Sequence, residues 1–287
     1  FTLRILTSHD EKLMNYSGLS ASCFFPYFCS MILTDTHTHL YLNDFAKDRD
    51  QIINNALENG VEHMLLPNID STTLHDLKAM TAAFPEYCFP MMGLHPTSVK
   101  ANYKKELKLV EQELTTGNYY GVGEIGIDLY WDSSFEAEQK EAFRQQLQMA
   151  KKYRLTVSIH TRNAFEITYQ IVKEELTDNL TGVFHCFTGT LEEAKQIMDT
   201  GFKIGIGGIV TFKNSGLAEV VSQLPLEALV LETDAPYLTP VPFRGKRNQS
   251  AYLLYVAQKV AAVKNITVEK VAETTGRTAE NLFFKKS

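Results

Sequence analysis

The sequence predicts an α/β fold in which eight parallel strands close into a single-domain (β/α)8 barrel. Two observations predict it. From Met31 onward, short apolar runs alternate with stretches of helical period, and this order builds parallel sheets through β–α–β crossovers. The runs are also continuously apolar, as expected of strands that are covered on both faces. A length of 287 residues suits one barrel and requires no second domain.

Eight strands are predicted in order along the chain. They cover Ile32–Thr34, His63–Pro67, Phe89–Gly93, Tyr120–Gly123, Thr156–Ile159, Gly182–Phe184, Phe202–Ile206 and Leu229–Leu231. Helical faces lie between and after them, formed by Ile52, Ile53, Ala56 and Leu57, by Phe143, Gln146, Leu147 and Ala150, and by Leu253, Val256, Val260 and Val263. A further helix is predicted to begin at a capping box of Thr190 and Glu193 and to end at Gly201.

An open, doubly wound sheet is the alternative architecture. Such sheets commonly bind nucleotides through GxGxxG or GxxxxGK[ST], and neither motif occurs here. The glycines that follow the seventh strand, Gly205, Gly207 and Gly208, are not placed before a long helix. We interpret them as close-packing residues or as the floor of a site.

The composition limits the classes of function. The net charge of −6 disfavours a protein that coats polyanions, although it permits an enzyme whose local site is cationic through bound metal. No apolar run approaches the roughly 18–20 residues of a membrane helix. Cys23, Cys29, Cys88 and Cys186 show no disulfide-type spacing, so we expect free thiols and a cytoplasmic location.

Residues 1–30 differ in character from the remainder. Charged residues from His9 to Lys12 interrupt the apolar stretch, which is unlike a signal peptide. We interpret residues 1–30 as an upstream extension, non-native or poorly ordered, that precedes a natural start at Met31. A short peripheral segment is the alternative. The functional domain is expected over residues 31–287.

Ionisable side chains follow most of the predicted strands, at the barrel end where active sites are built. Five of the eight histidines fall there. The residues are Asp35, His37 and His39 after strand one, His95 after strand three, Glu124 after strand four, His160 after strand five, His185 after strand six and Asp234 after strand eight. Imidazole and carboxylate form the usual ligand set for Zn, Mn, Fe or Co, so we predict a metal site.

The positions indicate how the metal ligands divide. Two residues apart at a strand end, His37 and His39 point to one side, and Asp234 from the neighbouring last strand can complete the same shell. Glu124 can bridge to a second ion held by His160 and His185. Two metals about 3.5–4 Å apart can activate a shared water for displacement at phosphorus.

Each residue alone also has an ordinary structural explanation. A histidine at a strand end is often a hydrogen-bonding residue, Glu124 can pair with an arginine, and Asp234 before Ala-Pro can cap a turn. Several such accidents at one end of one barrel are a poorer explanation than a metal centre.

The motifs DTHTHL, GLHP, GEIGID, IHTR, HCFTG, ETDAPYL and RGKRN resemble those of the TatD family of metal-dependent hydrolases, in family order from Met31 to about Phe284. The family is a TIM barrel of the amidohydrolase type, and its members are described as deoxyribonucleases. The resemblance implies that His37, His39 and Asp234 hold one metal, that His160 and His185 hold another, and that Glu124 bridges them. It also implies that Asp234 orients or deprotonates the attacking water and that His95 contacts the scissile phosphate.

Basic and aromatic residues suggest where DNA binds. Arg162 follows His160, and Arg244, Lys246 and Arg247 form a compact basic cluster, so all four are expected to contact phosphates. Solvated surface is the alternative for the cluster. Tyr130 and Trp131 can stack on a nucleobase, and a packing role for Trp131 is the alternative.

We therefore predict a cytoplasmic deoxyribonuclease, expected to be an exonuclease, with two divalent ions (Zn, Mn or Mg) that acts on single-stranded DNA ends. No membrane association and no obligate protein partner are expected. An amidohydrolase-type esterase, lactonase or aminoacyl-tRNA deacylase is the first alternative. Many such enzymes bridge their metals with a carbamylated lysine, a position that Glu124 takes here. A catalytically silent scaffold is the second alternative.

Overall fold

The computed structural model describes residues 31–285 and contains the predicted barrel. Eight parallel strands pair in sequence order, from β1 to β8. They are β1 (Leu33–Asp35), β2 (Val61–Pro67), β3 (Cys88–Met91), β4 (Gly121–Asp128), β5 (Thr156–Arg162), β6 (Gly182–Phe184), β7 (Lys203–Ile206) and β8 (Leu229–Leu231). The (β/α)8 prediction is confirmed, and the doubly wound alternative is wrong. The extension expected over residues 1–30 lies outside the described residues, together with Cys23 and Cys29.

Two backbone hydrogen bonds join the last strand to the first and bring the sheet close to full closure. Thr36 N–H donates to the carbonyl oxygen of Leu231 at 3.0 Å, and Asp234 N–H donates to that of His37 at 2.9 Å. The exits of β1 and β8 are therefore neighbours, as the predicted grouping of His37 with Asp234 requires.

Helices surround the barrel and alternate with its strands. They are α1 (Arg49–Glu58), α2 (Leu74–Ala83), α3 (Tyr103–Leu114), α4 (Glu136–Tyr153), α5 (Phe165–Glu175), α6 (Leu191–Asp199), α7 (Leu217–Gln223), α8 (Leu253–Lys264) and α9 (Val268–Phe283). The predicted capping box is present: Thr190 Oγ1 accepts from Glu193 N–H at 3.2 Å, and Glu193 Oε2 accepts from Thr190 N–H at 2.6 Å. No helix in the described part of the chain has the length and apolarity to span a membrane.

The C-terminal helix α9 covers the end of the barrel where the strands begin. Phe283 joins an apolar cluster with side chains of the barrel strands, which are Leu65, Phe89, Met91, Val183 and Val230. The next residue, Phe284, has its ring centroid 4.8 Å from that of Phe89 and 5.4 Å from that of Tyr120. Thr156, the first residue of β5, donates a hydrogen bond to the carbonyl oxygen of Leu282. The sequence analysis did not locate this helix.

Strands β4 and β5 are longer than predicted. Their ladder shifts register between Val122 and Ile125 and then continues to the pair Asp128 and Arg162. Glu124 and His160 were interpreted as residues that follow the fourth and fifth strands. They lie within β4 and β5, which continue to Asp128 and Arg162. These longer strands position the site described next.

Candidate metal centre

Glu124 of β4 lies at the centre of the barrel mouth, and five imidazoles face its carboxylate. The side chain is 3% exposed, so its charge is almost wholly removed from water. The distances from a ring nitrogen to a carboxylate oxygen of Glu124 are 3.1 Å for His37, 3.5 Å for His39, 3.2 Å for His95, 2.8 Å for His160 and 2.8 Å for His185. Five of the predicted site residues, all histidines, thus surround the carboxylate of Glu124.

The local backbone explains how Glu124 reaches this position. The register shift in β4 frees its amide, which donates to the carbonyl oxygen of Asn68 at 3.1 Å. Two residues later, Gly126 has φ of 137°, and a Cβ there would lie 2.0 Å from the carbonyl oxygen of His160. Only glycine permits this approach of β4 to β5, and the approach brings Glu124 and His160 together.

The exits of β1 and β8 form the second part of the centre. His39 Nε2 lies 3.6 Å from Asp234 Oδ1. Behind these residues, the buried carboxylate of Asp35 accepts hydrogen bonds from Thr233, at 2.9 Å from its N–H and 2.6 Å from its hydroxyl. Asp35 therefore fixes the two strand exits relative to one another, and burial raises its pKa to about 7.

Most of these histidines contact a second polar group through the ring nitrogen that faces away from Glu124. Such contacts fix ring orientation and tautomer. The contacts are His37 Nδ1 to Ser158 Oγ at 3.0 Å, His39 Nδ1 to Tyr41 Oη at 3.0 Å, His95 Nδ1 to Thr97 Oγ1 at 2.7 Å and His160 Nε2 to Asp128 Oδ2 at 2.9 Å. His160 is reversed relative to the other three, because its Nδ1 faces Glu124.

Two carboxylates behind the centre were not identified from the sequence. Asp128 contacts His160, and Glu232 Oε1 lies 3.6 Å from His185 Nδ1. Both stand at even spacing from a predicted site residue, Asp128 four residues after Glu124 and Glu232 two before Asp234. The spacing alone does not identify them, because Glu232 and Asp234 lie after the end of β8 and the register shift interrupts the alternation of β4.

The surroundings shift the pKa of the central groups in different directions. Burial raises the pKa of Glu124, but the nearby histidines outweigh burial and hold it well below the ordinary range. Burial lowers the pKa of His185, but the charge of Glu124 outweighs it and raises the pKa well above its ordinary value. Burial raises the pKa of Asp234 to about 6.

The donor set fits divalent cations. Three groups of side chains could each hold one ion, because the ligand atoms within each group lie within 4.8 Å of one another. Although His185 Nε2 is 2.8 Å from Glu124, neither ring nitrogen of this buried histidine makes a hydrogen bond to the described residues. A cation shared with Glu124 would bind the Nε2 nitrogen directly. Imidazole with carboxylate suits Zn or Mn.

The three groups divide the residues somewhat differently from the prediction. One is His37, His39 and Asp234, as expected. The other two both contain Glu124, one with His37 and His185 and one with His95 and His160. His95, expected to contact substrate only, is thus as close to Glu124 as the predicted ligands are.

The predicted phosphate-binding residues fall into two regions. Arg162 ends β5 beside the centre, and its guanidinium lies 3.8 Å from the centroid of the Tyr130 ring. Arg247 lies elsewhere and is engaged by Asp48, with Nη1–Oδ1 at 3.1 Å. Arg244 stacks 3.7 Å over the Phe212 ring, and Lys246 lies 5.7 Å from that of Phe243.

A (β/α)8 barrel with imidazoles and carboxylates gathered at the carboxyl ends of its strands has the architecture of the metal-dependent hydrolases. Comparisons with known proteins agree. The chain is 36% identical over 253 residues to the uncharacterized metal-dependent hydrolase YabD of Bacillus subtilis, an alignment that covers 88% of this chain and 99% of the relative. It is 31% identical over 255 residues to the 3′-5′ ssDNA/RNA exonuclease TatD of Pantoea ananatis, covering 87% and 98%.

Among solved structures, the crystal structure of YJJV, a TatD homologue from Escherichia coli K12, superposes with a TM-score of 0.83 at 27% identity, covering 88% of this chain and 98% of the other. The family model described as "TatD related DNase" matches residues 34–284. The chain therefore belongs to the TatD family of metal-dependent hydrolases, and the predicted resemblance is confirmed.

Proposed function

We propose that this protein hydrolyses phosphodiester bonds at single-stranded DNA ends with two divalent ions. The observation that carries the proposal is the buried carboxylate of Glu124, faced by five imidazoles beside Asp234. The relative from Pantoea ananatis, described as an exonuclease on single-stranded DNA and RNA, supports the choice of substrate. A cytoplasmic location stays a prediction.

The proposed roles follow the positions of the side chains. His37, His39 and Asp234 would hold one cation, His160 and His185 the other, and Glu124 would contact both. When bound, such a pair acidifies water and neutralises charge on a phosphoryl group. Asp234, at the edge of the centre, would accept the proton of the attacking water on a carboxylate oxygen. His95 would donate from Nε2 to a phosphate oxygen, and Arg162 would contact a neighbouring phosphate.

Esters other than phosphodiesters are the alternative substrates, because lactones and aminoacyl esters also suit a metal-activated water. The bridging position supports a phosphodiesterase, because Glu124 lies where many of the alternative enzymes have a carbamylated lysine.

A direct comparison of substrates tests the proposal. The protein loaded with Mn, Zn or Mg would be assayed on an end-labelled single-stranded oligonucleotide, a lactone and an aminoacyl ester. We expect metal-dependent release of nucleotides from the oligonucleotide as the fastest reaction. Faster turnover of either other ester would assign the protein to the alternative class.

Matched variants separate this activity from contamination. The double variant His160→Ala, Asp234→Ala should lose DNA cleavage and metal content together. His75→Ala removes an exposed histidine of α2 and should match the wild type. Equal cleavage by the double variant and the wild type would refute the nuclease proposal.

A further inference from the structure

Two adjacent aromatic side chains are exposed to solvent beside the candidate centre. Tyr130 is 53% exposed and Trp131 is 68% exposed, the highest exposure of any large apolar side chain in the described chain. Their ring centroids are 5.0 Å apart with an interplanar angle of 87°. The packing role considered for Trp131 therefore does not apply, and the exposed faces require another explanation.

The backbone under these rings is fixed. Asp128 Oδ1 accepts hydrogen bonds from the N–H of Tyr130 at 2.9 Å and from that of Trp131 at 3.2 Å. The buried Gln139 side chain accepts from Asp128 N–H at 2.8 Å and donates to the Asp128 carbonyl at 3.1 Å. Exposed aromatic rings on an anchored backbone lose little conformational entropy when a ligand stacks on them.

Arg162 completes this surface. Its guanidinium lies 3.8 Å from the Tyr130 ring centroid and 5.3 Å from that of Trp131. Stacking occupies the face of a guanidinium and leaves its in-plane N–H donors available. Arg162 is exposed to solvent, so those donors can bind a phosphate.

The surface is joined to the centre through one side chain. The carboxylate that holds the Tyr130 and Trp131 amides also contacts His160, with Asp128 Oδ2 at 2.9 Å from His160 Nε2. Asp128 and Arg162 are register partners in the β4–β5 ladder. A phosphodiester at the centre would therefore have its attached base close to these rings.

We propose that Tyr130, Trp131 and Arg162 form a stacking platform for the nucleobase next to the scissile phosphate, with Asp128 as its positioning residue. The ligand class is an unpaired, base-bearing nucleotide strand. A base inside a duplex keeps its faces stacked on its neighbours, whereas an unpaired terminal base can turn onto an aromatic ring. The proposal rests on the proposed function and extends it to the basis of single-strand preference.

Trp131 supplies its own probe, because it is the only tryptophan of the chain. Its fluorescence would be titrated with a short phosphorothioate-linked thymidine oligonucleotide, whose linkages slow hydrolysis, and with an abasic strand of the same length and linkage. We expect saturable quenching by the base-bearing strand. The abasic strand should bind about 5- to 150-fold more weakly, the range that follows from the loss of one stacked base.

Variants locate the effect on the platform. Tyr130→Ala should move the affinity for the base-bearing strand toward that for the abasic strand, and Tyr130→Phe, which keeps the ring, should restore it. Leu176→Ala, an exposed apolar residue directly after α5, should bind like the wild type. Equal binding of the two strands, or an unchanged affinity in Tyr130→Ala, would overturn the platform.

Cleavage separates this outcome from failure of the proposed function. Metal-loaded protein would be assayed on base-bearing and abasic strands with ordinary phosphodiester linkages. Equal cleavage of both refutes the platform and leaves the nuclease intact. Cleavage of neither refutes the nuclease, while the fluorescence titration still decides whether the platform binds bases.

Discussion

At the end of the barrel where the strands finish, five histidines surround a buried carboxylate, whereas near its beginning a histidine lies among aromatic rings. His63 of β2 has its ring centroid 5.6 Å from that of Phe89 and 5.2 Å from that of Phe284. Its Nδ1 contacts only Thr34 Oγ1 among the described residues, at 3.4 Å. Histidine side chains therefore contact charged groups at one end of the barrel and aromatic rings at the other.

This difference teaches that the position of a residue along a strand decides its chemistry. Carboxylates such as Glu124, Asp128 and Glu232 lie toward the carboxyl-terminal end of the barrel, so imidazoles there gain charged partners. Near the beginning of the strands, Phe283 is buried and the ring of Phe284 packs against that of Phe89. The barrel separates a polar mouth from an apolar base, and substitutions at the two ends should fail in different ways.

The largest effect is expected at Glu124. Glu124→Gln keeps the shape but removes the charge that five imidazoles share. Substitution of a residue that only supports a metal ligand typically costs about 10- to 100-fold. We expect the loss of DNA cleavage in Glu124→Gln to exceed that range and metal content to fall with it. Elemental analysis and oligonucleotide assays measure both. His63→Gln is the control from the opposite end, and an equal loss of metal in it would remove the distinction between the two ends.

Next in size is Phe283→Ala, at the apolar base. Removing this buried ring from the cluster under the barrel should cost about 3–5 kcal/mol of unfolding free energy, measured by denaturant titration. Metal stoichiometry should be unchanged, because no ligand is disturbed. Ile266→Ala, at an exposed position, should stay within about 0.5 kcal/mol of the wild type. A metal deficit in Phe283→Ala without a stability loss would contradict this.

A smaller effect is expected at Asp128, which contacts the proposed ligand His160 and is not itself a proposed ligand. Asp128→Asn weakens the contact that orients His160, so metal affinity should fall about 10- to 100-fold, measured by competition with a chelator. Asp132→Asn changes an aspartate four residues further along the chain that pairs with Lys100 at 2.7 Å, and it should leave the affinity unaltered. Equal affinities for Asp128→Asn and the wild type would show that His160 needs no support.

The smallest effect concerns pH and His63. Burial lowers the pKa of His63 below its ordinary 6.5, so the unfolded chain binds its proton more readily than the folded chain does. The stability associated with neutral His63 is therefore present above pH 6.5 and decreases as pH falls toward the folded pKa. His63→Gln should lose less stability than the wild type between pH 7 and pH 5. Identical slopes in denaturant titrations would contradict the effect.

The parts of the fold that follow from periodicity were predictable. All eight strands lie where apolar runs occur, because solid hydrophobic stretches between helical patterns have few other solutions. The ends of β4 and β5 were not predictable in this way. Glu124 and His160 are polar residues inside strands. The desolvation cost of burying them is offset by their contact with one another and by the contact of His160 with Asp128, and only the folded chain brings these residues together.

The candidate site divides in the same manner. The six predicted ligands could be proposed from the sequence because each stands toward the carboxyl end of a strand, and their role as ligands stays a prediction. Glu232 was not identified from the sequence. Its position depends on Gly205 of the neighbouring strand β7, where a Cβ would lie 2.3 Å from the Glu232 carboxylate. Arg247 was predicted from its charge to bind phosphate, and the structure adds a contact with Asp48 that the sequence did not indicate. Phosphate binding by Arg247 stays a prediction.

The position of α9 has a consequence for synthesis. Ribosomes make all eight strands before α9, so the nascent barrel presents Leu65, Met91, Val183 and Val230 without the helix that later covers them. Exposed apolar surface of this kind binds chaperones and favours aggregation. The emergence of α9 would therefore mark the moment at which the newly made chain no longer needs such protection.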